Sequence, residues 1–450
     1  MPTKSPTLAA LARDLAAGAT TSRQLVEDCL ARIDDPAGEG ARTFVSVAHE
    51  AARRSAGAMD DLRRAGAAPS PFAGIPLAIK DLFDIAGEVT TAGSTALAGR
   101  PAASHDAAAV ARLRQAGFVV IGRASMTEFA YSGLGLNPHY GDPRAPFERS
   151  VGRASGGSTS GGAVAVADGM AHGALGTDTG GSCRIPAAFC GIVGYKPTAR
   201  RVPQQGCVPL SPSLDSIGPL ARSVACCAAL DAVLAGDAAA PVVPLGPAGL
   251  RLAVPTTVVL DDLGPEVAAA FEQALAALER AGALVSRIAV PEFAEVGAMN
   301  AKGGLAAAES YAWHRGLIAE AGASYDPRVL SRIEKGAAQS AADYLDLLAA
   351  RRGLIARVEA RFATYDAIVM PTVASLPPRI ADLATDEAFG RANARALRNA
   401  SLINLIDGCA ISLPVAAAGG APVGLTIAGL ARADHKVFAM AAAVEAFLAG

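Results

Sequence analysis

Two serines stand in glycine-rich turns, where small neighbours would let a substrate approach both a hydroxyl and backbone N–H groups. Ser158 lies within Gly-Gly-Ser-Thr-Ser-Gly-Gly at 156–162, and Ser182 directly follows Gly180 and Gly181. A serine hydroxyl is a poor nucleophile at its ordinary pKa and needs a base beside it. The pattern is typical of nucleophilic catalysis, provided that the fold supplies such a base.

The same stretch allows two other interpretations. Its composition is that of a flexible linker, but residues 163–167 are apolar and a second glycine-rich turn follows them. Glycine-rich loops also cradle phosphates. However, the sequence contains neither GxxxxGK[ST] here nor a GxGxxG that opens a helix after a strand. We therefore favour nucleophilic catalysis over the linker and the phosphate loop.

Histidine and lysine are the candidate bases. The six histidines show no pairing pattern and GxSxG is absent at both serines, so we expect the histidines to be structural or surface residues. Lys80 ends the apolar run 75–79, and ligands of open α/β sheets bind at the carboxyl ends of strands. Burial there would lower the pKa of the amine and make it a usable base. Alternatively, Lys80 snorkels to water or pairs with Asp81 or Asp84, and spacing alone does not decide.

The elements that must position these residues are short apolar runs alternating with helical patterns. The apolar runs predict buried strands at 75–79, 118–121, 252–254, 284–290, 368–370, 410–413 and 423–427. Amphipathic stripes predict helices at 25–33 after the possible caps Thr21 and Ser22, at 265–278 between Pro265 and Gly282, and at 347–362. This alternation predicts an α/β fold with a mostly buried sheet.

We expect one domain that spans 1–450. It would contain N-terminal helices over about 1–65, a core over about 70–235, and a helical and C-terminal sheet part over about 250–450.

Composition excludes several classes of protein. Of the 450 residues, 51% are hydrophobic and 18% charged, which excludes a disordered chain. Lys and Arg total 40 against 42 Asp and Glu, which argues against a nucleic-acid-binding surface. The seven cysteines form no CxxC pair, and we find no secretory signal and no long uncharged apolar run. We expect a soluble cytoplasmic protein with neither a nucleic acid nor a membrane as partner.

Five segments of the chain resemble those of the amidase signature enzymes. They are GIPLAIKD at 74–81, MTEFA at 126–130, GGSTSGGAVAVA at 156–167, GALGTDTGGSCRIPAAFCGIVGYKPT at 173–198 and PVGLTIAG at 422–429. The resemblance extends from the N-terminal helices to the C-terminus, and its central block is long enough to be highly specific. It implies the fold of that family, a large mixed twisted β-sheet sandwiched between α-helices.

The resemblance also implies a Ser–cisSer–Lys triad. Ser182 would be the nucleophile, Ser158 the bridging serine after a cis peptide bond from Gly157, and Lys80 the base. Neutral Lys80 would take a proton through Ser158 while Ser182 attacks the amide carbonyl, and water would later hydrolyse the acyl-enzyme. Neither a metal nor a cofactor is required.

Further roles follow from the family pattern. The N–H groups expected to hold the oxyanion are those of Thr179, Gly180, Gly181 and Ser182. The side chains expected to hydrogen-bond the turn and orient the triad are those of Thr159, Asp178 and Arg184. Arg184 could instead contact a carboxylate of the substrate, since a guanidinium forks well onto an acid.

We therefore expect an amidohydrolase that cleaves a small-molecule amide to a carboxylic acid and ammonia or an amine. Similar proteins are commonly homodimers. The same triad would serve the amidase-like A subunit of a tRNA-dependent Glu/Asp amidotransferase, so the motif cannot separate the two. A catalytically dead binding protein is a third possibility, against which the complete triad counts. We expect the pocket residues to come from 131–145 and 295–345.

Overall fold

A mixed eleven-stranded sheet flanked by helices forms the centre of the computed structural model, which describes residues 6–238, 241–415 and 420–449. The strands are β1 (Phe44–Val47), β2 (Pro76–Lys80), β3 (Val119–Ala124), β4 (Gly173–Asp178), β5 (Val193–Lys196), β6 (Ser216–Ala221), β7 (Arg251–Pro255), β8 (Leu284–Ile288), β9 (Ala367–Pro371), β10 (Cys409–Pro414) and β11 (Gly424–Gly429). Their order across the sheet is β1-β3-β2-β4-β6-β5-β10-β11-β9-β7-β8. The predicted α/β class and mixed sheet are confirmed.

Parallel pairing is confined to two parts of the sheet. Strand β2 runs parallel to β3 and β4, and β7 runs parallel to β8 and β9. The other neighbours are antiparallel. Strands β2 and β4 therefore end at the same edge of the sheet, with Lys80 on one and Asp178 on the other.

Helices connect and cover these strands. They are α1 (Leu8–Ala16), α2 (Ser22–Ile33), α3 (Gly40–Thr43), α4 (His49–Arg64), α5 (Ala108–Gln115), α6 (Ser160–Ala167), α7 (Arg184–Cys190), α8 (Val224–Ala235), α9 (Pro265–Arg280), α10 (Glu292–Met299), α11 (Gly304–Ala321), α12 (Pro327–Glu334), α13 (Ala341–Phe362), α14 (Asp386–Leu397), α15 (Ala400–Leu405) and α16 (Asp434–Ala449). The three predicted helices are α2, α9 and α13. Thr21 caps α2 by accepting the N–H of Gln24 at 3.0 Å.

Each of the seven predicted strands is present, although the run at 284–290 ends two residues early, at Ile288. The sequence analysis missed β1, β4, β5 and β6. The last three contain glycine, which is depleted in strands. In β5 and β6 a neighbouring backbone forces that choice, because a Cβ on Gly194 would lie 2.3 Å from the Cys183 oxygen and one on Gly218 would lie 2.1 Å from the Tyr195 oxygen.

Other expectations can be compared with the described part of the chain. No helix in it is long and apolar enough to cross a membrane. The seven cysteines are all free, and no group of three or more His, Cys, Asp or Glu side chains there could hold a metal ion. The domain boundaries stay predictions, and those at residues 1 and 450 lie outside the described residues.

Candidate active site

Lys80 is the last residue of β2 and is fully buried. Its Nζ donates to Ser158 Oγ at 2.7 Å and to Thr177 Oγ1 at 2.7 Å. Burial disfavours the ammonium form and lowers the pKa of Lys80 to about 8, against the opposing effect of nearby acidic groups such as Asp215 and Asp178. The strand therefore ends in an amine that can lose its proton near neutral pH.

The acidic neighbours of Lys80 have other partners. An Asp81 carboxylate oxygen lies 3.1 Å from Nη1 of Arg123, and Asp84 accepts a hydrogen bond from Thr90 at 2.7 Å. Since Lys80 is buried and donates to two hydroxyls, the structure excludes the alternative in which it snorkels to water or pairs with Asp81 or Asp84.

Ser158 precedes helix α6 in the first glycine-rich turn and is fully buried. The Gly157–Ser158 peptide bond is cis, as the family resemblance implies. The Ser158 carbonyl accepts the N–H of Thr127, and the N–H of Thr159 donates to the Ser182 carbonyl at 3.3 Å. The two glycine-rich turns, far apart in sequence, therefore lie side by side.

Ser182 lies in the turn between β4 and α7, which the Asp178 carboxylate shapes. One oxygen of Asp178 accepts the N–H of Gly181 at 2.8 Å and the other accepts the N–H of Cys183 at 3.1 Å. Gly181 has φ +123°, and a Cβ there would lie 2.5 Å from the Cβ of Ala400. Glycine is therefore required on both conformational and steric grounds.

The four N–H groups expected to hold an oxyanion differ in their partners. The N–H of Gly181 donates to Asp178 at 2.8 Å. The N–H groups of Thr179, Gly180 and Ser182 make no hydrogen bond to another described residue, and these three residues line a cavity. Three of the four expected donors thus have no other described partner, and the set of oxyanion donors stays a prediction.

Arg184 holds Asp178 in place. Its Nε and Nη2 donate to the two Asp178 oxygens at 3.0 and 2.9 Å, and Asn404 bridges the pair. Burial raises the pKa of Asp178, but the adjacent charge of Arg184 outweighs it and the pKa falls to about 2. Arg184 is fully buried and does not line the cavity, which fits the expected orienting role rather than a contact with substrate.

Asp215 is a residue of the site that sequence reasoning missed. Its carboxylate accepts the hydroxyl of Thr179 and the N–H groups of Leu210 and Ser211. Burial raises the pKa of Asp215 to about 7, against these hydrogen bonds. Asp215 therefore ties the turn of Ser182 to the wall of the cavity beside it.

The cavity beside Ser182 has a volume of about 290 Å³. It is lined by Ala130, Tyr131, Ser132, Thr179, Gly180, Ser182, Leu210, Leu214, Val296, Asn300, Gly303, Leu305, Ala306, Arg332, Asn393, Leu397, Ser401 and Leu405. The expected segments 131–145 and 295–345 each contribute, whereas the contribution of residues 393–405 was missed. No histidine is among the described residues that line the cavity.

Known proteins resemble this chain over most of its length. A sequence model of the amidase family matches residues 24–438. A 2-amino-5-chloromuconic acid deaminase of Comamonas testosteroni is 39% identical over 403 residues, which cover 88% of this chain and 86% of that protein. The A subunit of the glutamyl-tRNA(Gln) amidotransferase of Symbiobacterium thermophilum is 35% identical over 477 residues, which cover 97% and 96%. A crystal structure of an amidase matches with a TM-score of 0.88 and 33% identity over 98% of this chain and 99% of that one.

Proposed function

This chain belongs to the amidase family and acts on amide C–N bonds, and from that premise we propose that it hydrolyses a carboxylic amide through an acyl-enzyme on Ser182. The observation that supports this proposal is the 2.7 Å hydrogen bond between buried Lys80 and Ser158, at a turn that lies against the turn of Ser182. Ser182 itself is at the cavity wall, where a substrate carbonyl can reach it.

Acylation begins with Lys80 in its neutral form. Because its pKa is about 8, roughly a tenth of the molecules hold a neutral amine at pH 7. The amine takes the proton of the Ser158 hydroxyl, Ser158 takes that of Ser182, and Ser182 Oγ bonds to the carbonyl carbon. The negative charge that forms on the carbonyl oxygen is stabilised by the N–H groups of Thr179, Gly180 and Ser182.

Collapse of this intermediate breaks the C–N bond. Ser158 gives a proton to the leaving nitrogen and recovers one from the Lys80 ammonium, so ammonia or an amine leaves and the acyl group stays on Ser182. A water molecule then attacks the ester carbonyl while the same relay removes its proton. The second collapse returns that proton to Ser182 and releases the carboxylic acid.

Fluorophosphonate labelling and ammonia release test this proposal. We expect the purified chain to release ammonia from simple amides, and the fluorophosphonate to be found by mass spectrometry on Ser182. Ser182→Ala should abolish both. Ser401→Ala is the matched control, because Ser401 also lines the cavity but its hydroxyl donates to the carbonyl of Arg398. Full turnover in Ser182→Ala would contradict the assignment.

A second candidate function is that of an amidotransferase A subunit, which the full-length match to the Symbiobacterium thermophilum protein supports. A protein of that kind would release little ammonia when purified by itself and would become active when its partner subunits are added. The stand-alone enzyme is active without them.

Two predictions from the resemblance belong with this proposal. We propose a homodimer, which sedimentation equilibrium would measure, and a cytoplasmic location, which fractionation of cells that produce the protein would test.

A further inference from the structure

We propose that the cavity beside Ser182 selects small amides that carry a carboxylate and no ammonium group, and that Arg332 binds the carboxylate. The class meant is the monoamides of short dicarboxylic acids, such as glutaramate. This inference rests on the proposed function, because it takes Ser182 as the nucleophile that attacks the amide end of the same molecule.

Arg332 is a cation at the cavity wall, and Asp326 lies close enough to raise its pKa, against the larger lowering by burial, without forming an ion pair with it. Its Nη1 donates to the Tyr131 carbonyl at 2.7 Å, and its guanidinium lies 5.1 Å from the centre of the Phe389 ring. No carboxylate of the described residues forms an ion pair with it. By contrast Arg328, one turn earlier on α12, lies 2.8 Å from Asp386. A guanidinium has five N–H donors, so most of those of Arg332 stay available to a ligand.

Burial of Arg332 makes a ligand carboxylate favourable. Desolvation lowers the pKa of Arg332, but an arginine stays charged throughout the physiological pH range. A partly desolvated charge is stabilised by an opposite charge, and a carboxylate matches the planar fork with two parallel hydrogen bonds. Arg332 therefore offers a specific contact to an acid group.

The rest of the cavity wall argues against an ammonium group on the substrate. Arg332 is the only charged side chain among the described residues that line the cavity, and none of them is Asp or Glu. An ammonium would enter near the Arg332 cation with no carboxylate in the described cavity wall to pair with, which costs both desolvation and repulsion. Amino acid amides such as glutamine should therefore bind less well than the same molecule without the amino group.

The size of the cavity limits the length of the substrate. Its volume of about 290 Å³ lies at the lower end of the roughly 300–1,000 Å³ typical of ligand pockets. Leu305, Leu397 and Leu405 supply apolar walls for a short methylene chain between the amide and the acid. A cavity of this size favours a short acyl chain over a long one.

Arg332 is held in place before any ligand binds. Helix α12 begins after Asp326, whose side chain caps it at the N–H of Arg328. The N–H of Asp326 in turn donates to the buried Glu128 carboxylate at 2.7 Å. Because this anchoring is already made in the free protein, binding an acid costs little reordering of the helix.

Selectivity ratios test the proposal. We expect wild-type kcat/KM for glutaramate to exceed that for its methyl ester by about 100-fold or more, since removing one partner of a buried charge pair leaves the other charge unpaired. We expect an excess of about the same size over glutamine, since its ammonium would be desolvated beside the Arg332 cation. Arg332→Met should reduce the ratio of glutaramate to methyl ester to near one, mainly through KM, and Arg332→Lys should restore part of it. Arg328→Met is the matched control and should keep the ratio.

Several results would overturn the proposal. One is equal hydrolysis of glutaramate and its methyl ester by the wild type. Another is a ratio of kcat/KM for glutaramate to that for its methyl ester that is unchanged in Arg332→Met. Glutamine hydrolysed as well as glutaramate would overturn the exclusion of the ammonium. Labelling of Ser182 by fluorophosphonate in each variant shows that the site is folded.

A binding measurement on a variant without the Ser182 hydroxyl tests the carboxylate site independently of the proposed function. Calorimetry on Ser182→Ala should show glutaramate binding with a Kd that rises at least about 30-fold when Arg332→Met is added. If no amide is hydrolysed but this binding and its loss are seen, the proposed function fails and the carboxylate site stands. If neutral amides are hydrolysed but glutaramate does not bind, the carboxylate site alone fails.

Discussion

Two lysines that each end a strand of the same sheet are alike in burial and in pKa. Lys80 is the last residue of β2 and Lys196 the last residue of β5. Both are buried, at 0% and 1% exposure, and burial lowers the pKa of each to about 8. Burial and a lowered pKa usually identify a catalytic lysine, but here neither property distinguishes Lys80 from Lys196.

Their hydrogen-bond partners differ in kind. Lys80 donates to the hydroxyls of Ser158 and Thr177, whereas Lys196 donates to the carbonyls of Pro197 and Gly408, at 2.9 and 2.6 Å. A hydroxyl can both donate and accept, so it can pass a proton to a neutral amine. A carbonyl only accepts, so it fixes an ammonium and has no proton to give. In the proposed mechanism, the hydrogen-bond partners of a lysine, and not its pKa, therefore distinguish the base.

The largest effect should come from replacing the two lysines in parallel. We expect Lys80→Met to lower turnover by roughly a thousandfold or more, since it removes the proposed general base and with it the proton relay. Lys196→Met should keep turnover per folded molecule within a few-fold of wild type. Ammonia release, normalised to circular dichroism and to fluorophosphonate labelling of Ser182 in the Lys196 variant, measures both. Equal losses in the two variants would show that the partners do not separate them.

The pH dependence should distinguish the lysines next. Only neutral Lys80 can accept a proton, so kcat/KM should rise about tenfold per pH unit below pH 8 and level off above it. The rise should stay at the same pH in Lys196→Met, although the pKa of that lysine is also about 8. Asp215→Asn controls for the buried carboxyl of Asp215, whose pKa is about 7. A profile that is flat from pH 6 to 9 in the wild type would contradict the role of Lys80.

Stability should reveal what Lys196 does instead. Removing its ammonium leaves two buried carbonyls without a donor, at a cost of about 1–3 kcal/mol each. Part of this cost is offset because the protein no longer has to bury a charge. We expect Lys196→Met to lower the free energy of unfolding by on the order of 2 kcal/mol, measured by urea denaturation. Lys80→Met should lower it less, because the hydroxyls of Ser158 and Thr177 can rotate toward other acceptors. A fully stable Lys196→Met protein would exclude the structural role.

The sequence located the groups that lie within motifs and missed those that meet only in the fold. Lys80, Ser158 and Ser182 are in segments whose spacing and family resemblance could be read directly. Asp215 and Arg332 have no local signal, because Asp215 reaches Thr179 from a loop 36 residues away and Arg332 lies on an ordinary amphipathic helix. Only the folded structure shows that Asp215 holds the turn of Ser182 and that Arg332 lines the cavity.

The strands also fall into two groups, those that the sequence predicts and those that it does not. Strands with branched apolar residues, such as β7 and β9, are predicted by their short apolar runs. Strands β4, β5 and β6 were missed because glycines there serve close packing and not strand formation. Gly176 in β4 is an example, since a Cβ would lie 2.8 Å from the side chain of Thr159. The residues closest to the site are thus those that weaken the local signal.

The smallest expected effect concerns the second hydroxyl on Lys80, and it refines the comparison of partners. Thr177→Val removes an acceptor that stabilises the ammonium, so the pKa of Lys80 should fall and the acidic limb of kcat/KM should move to lower pH by about half a unit to one unit. The plateau above pH 9 should fall only a few-fold, because Ser158 stays in contact with the amine while its position becomes less fixed. Thr177→Ser keeps the hydroxyl and should restore the wild-type profile. If Thr177→Val instead cost as much turnover as Lys80→Met, Thr177 would be part of the proton path. The hydroxyl that carries the proton would then have to be identified by comparing Thr177 with Ser158, and not by comparing Lys80 with Lys196.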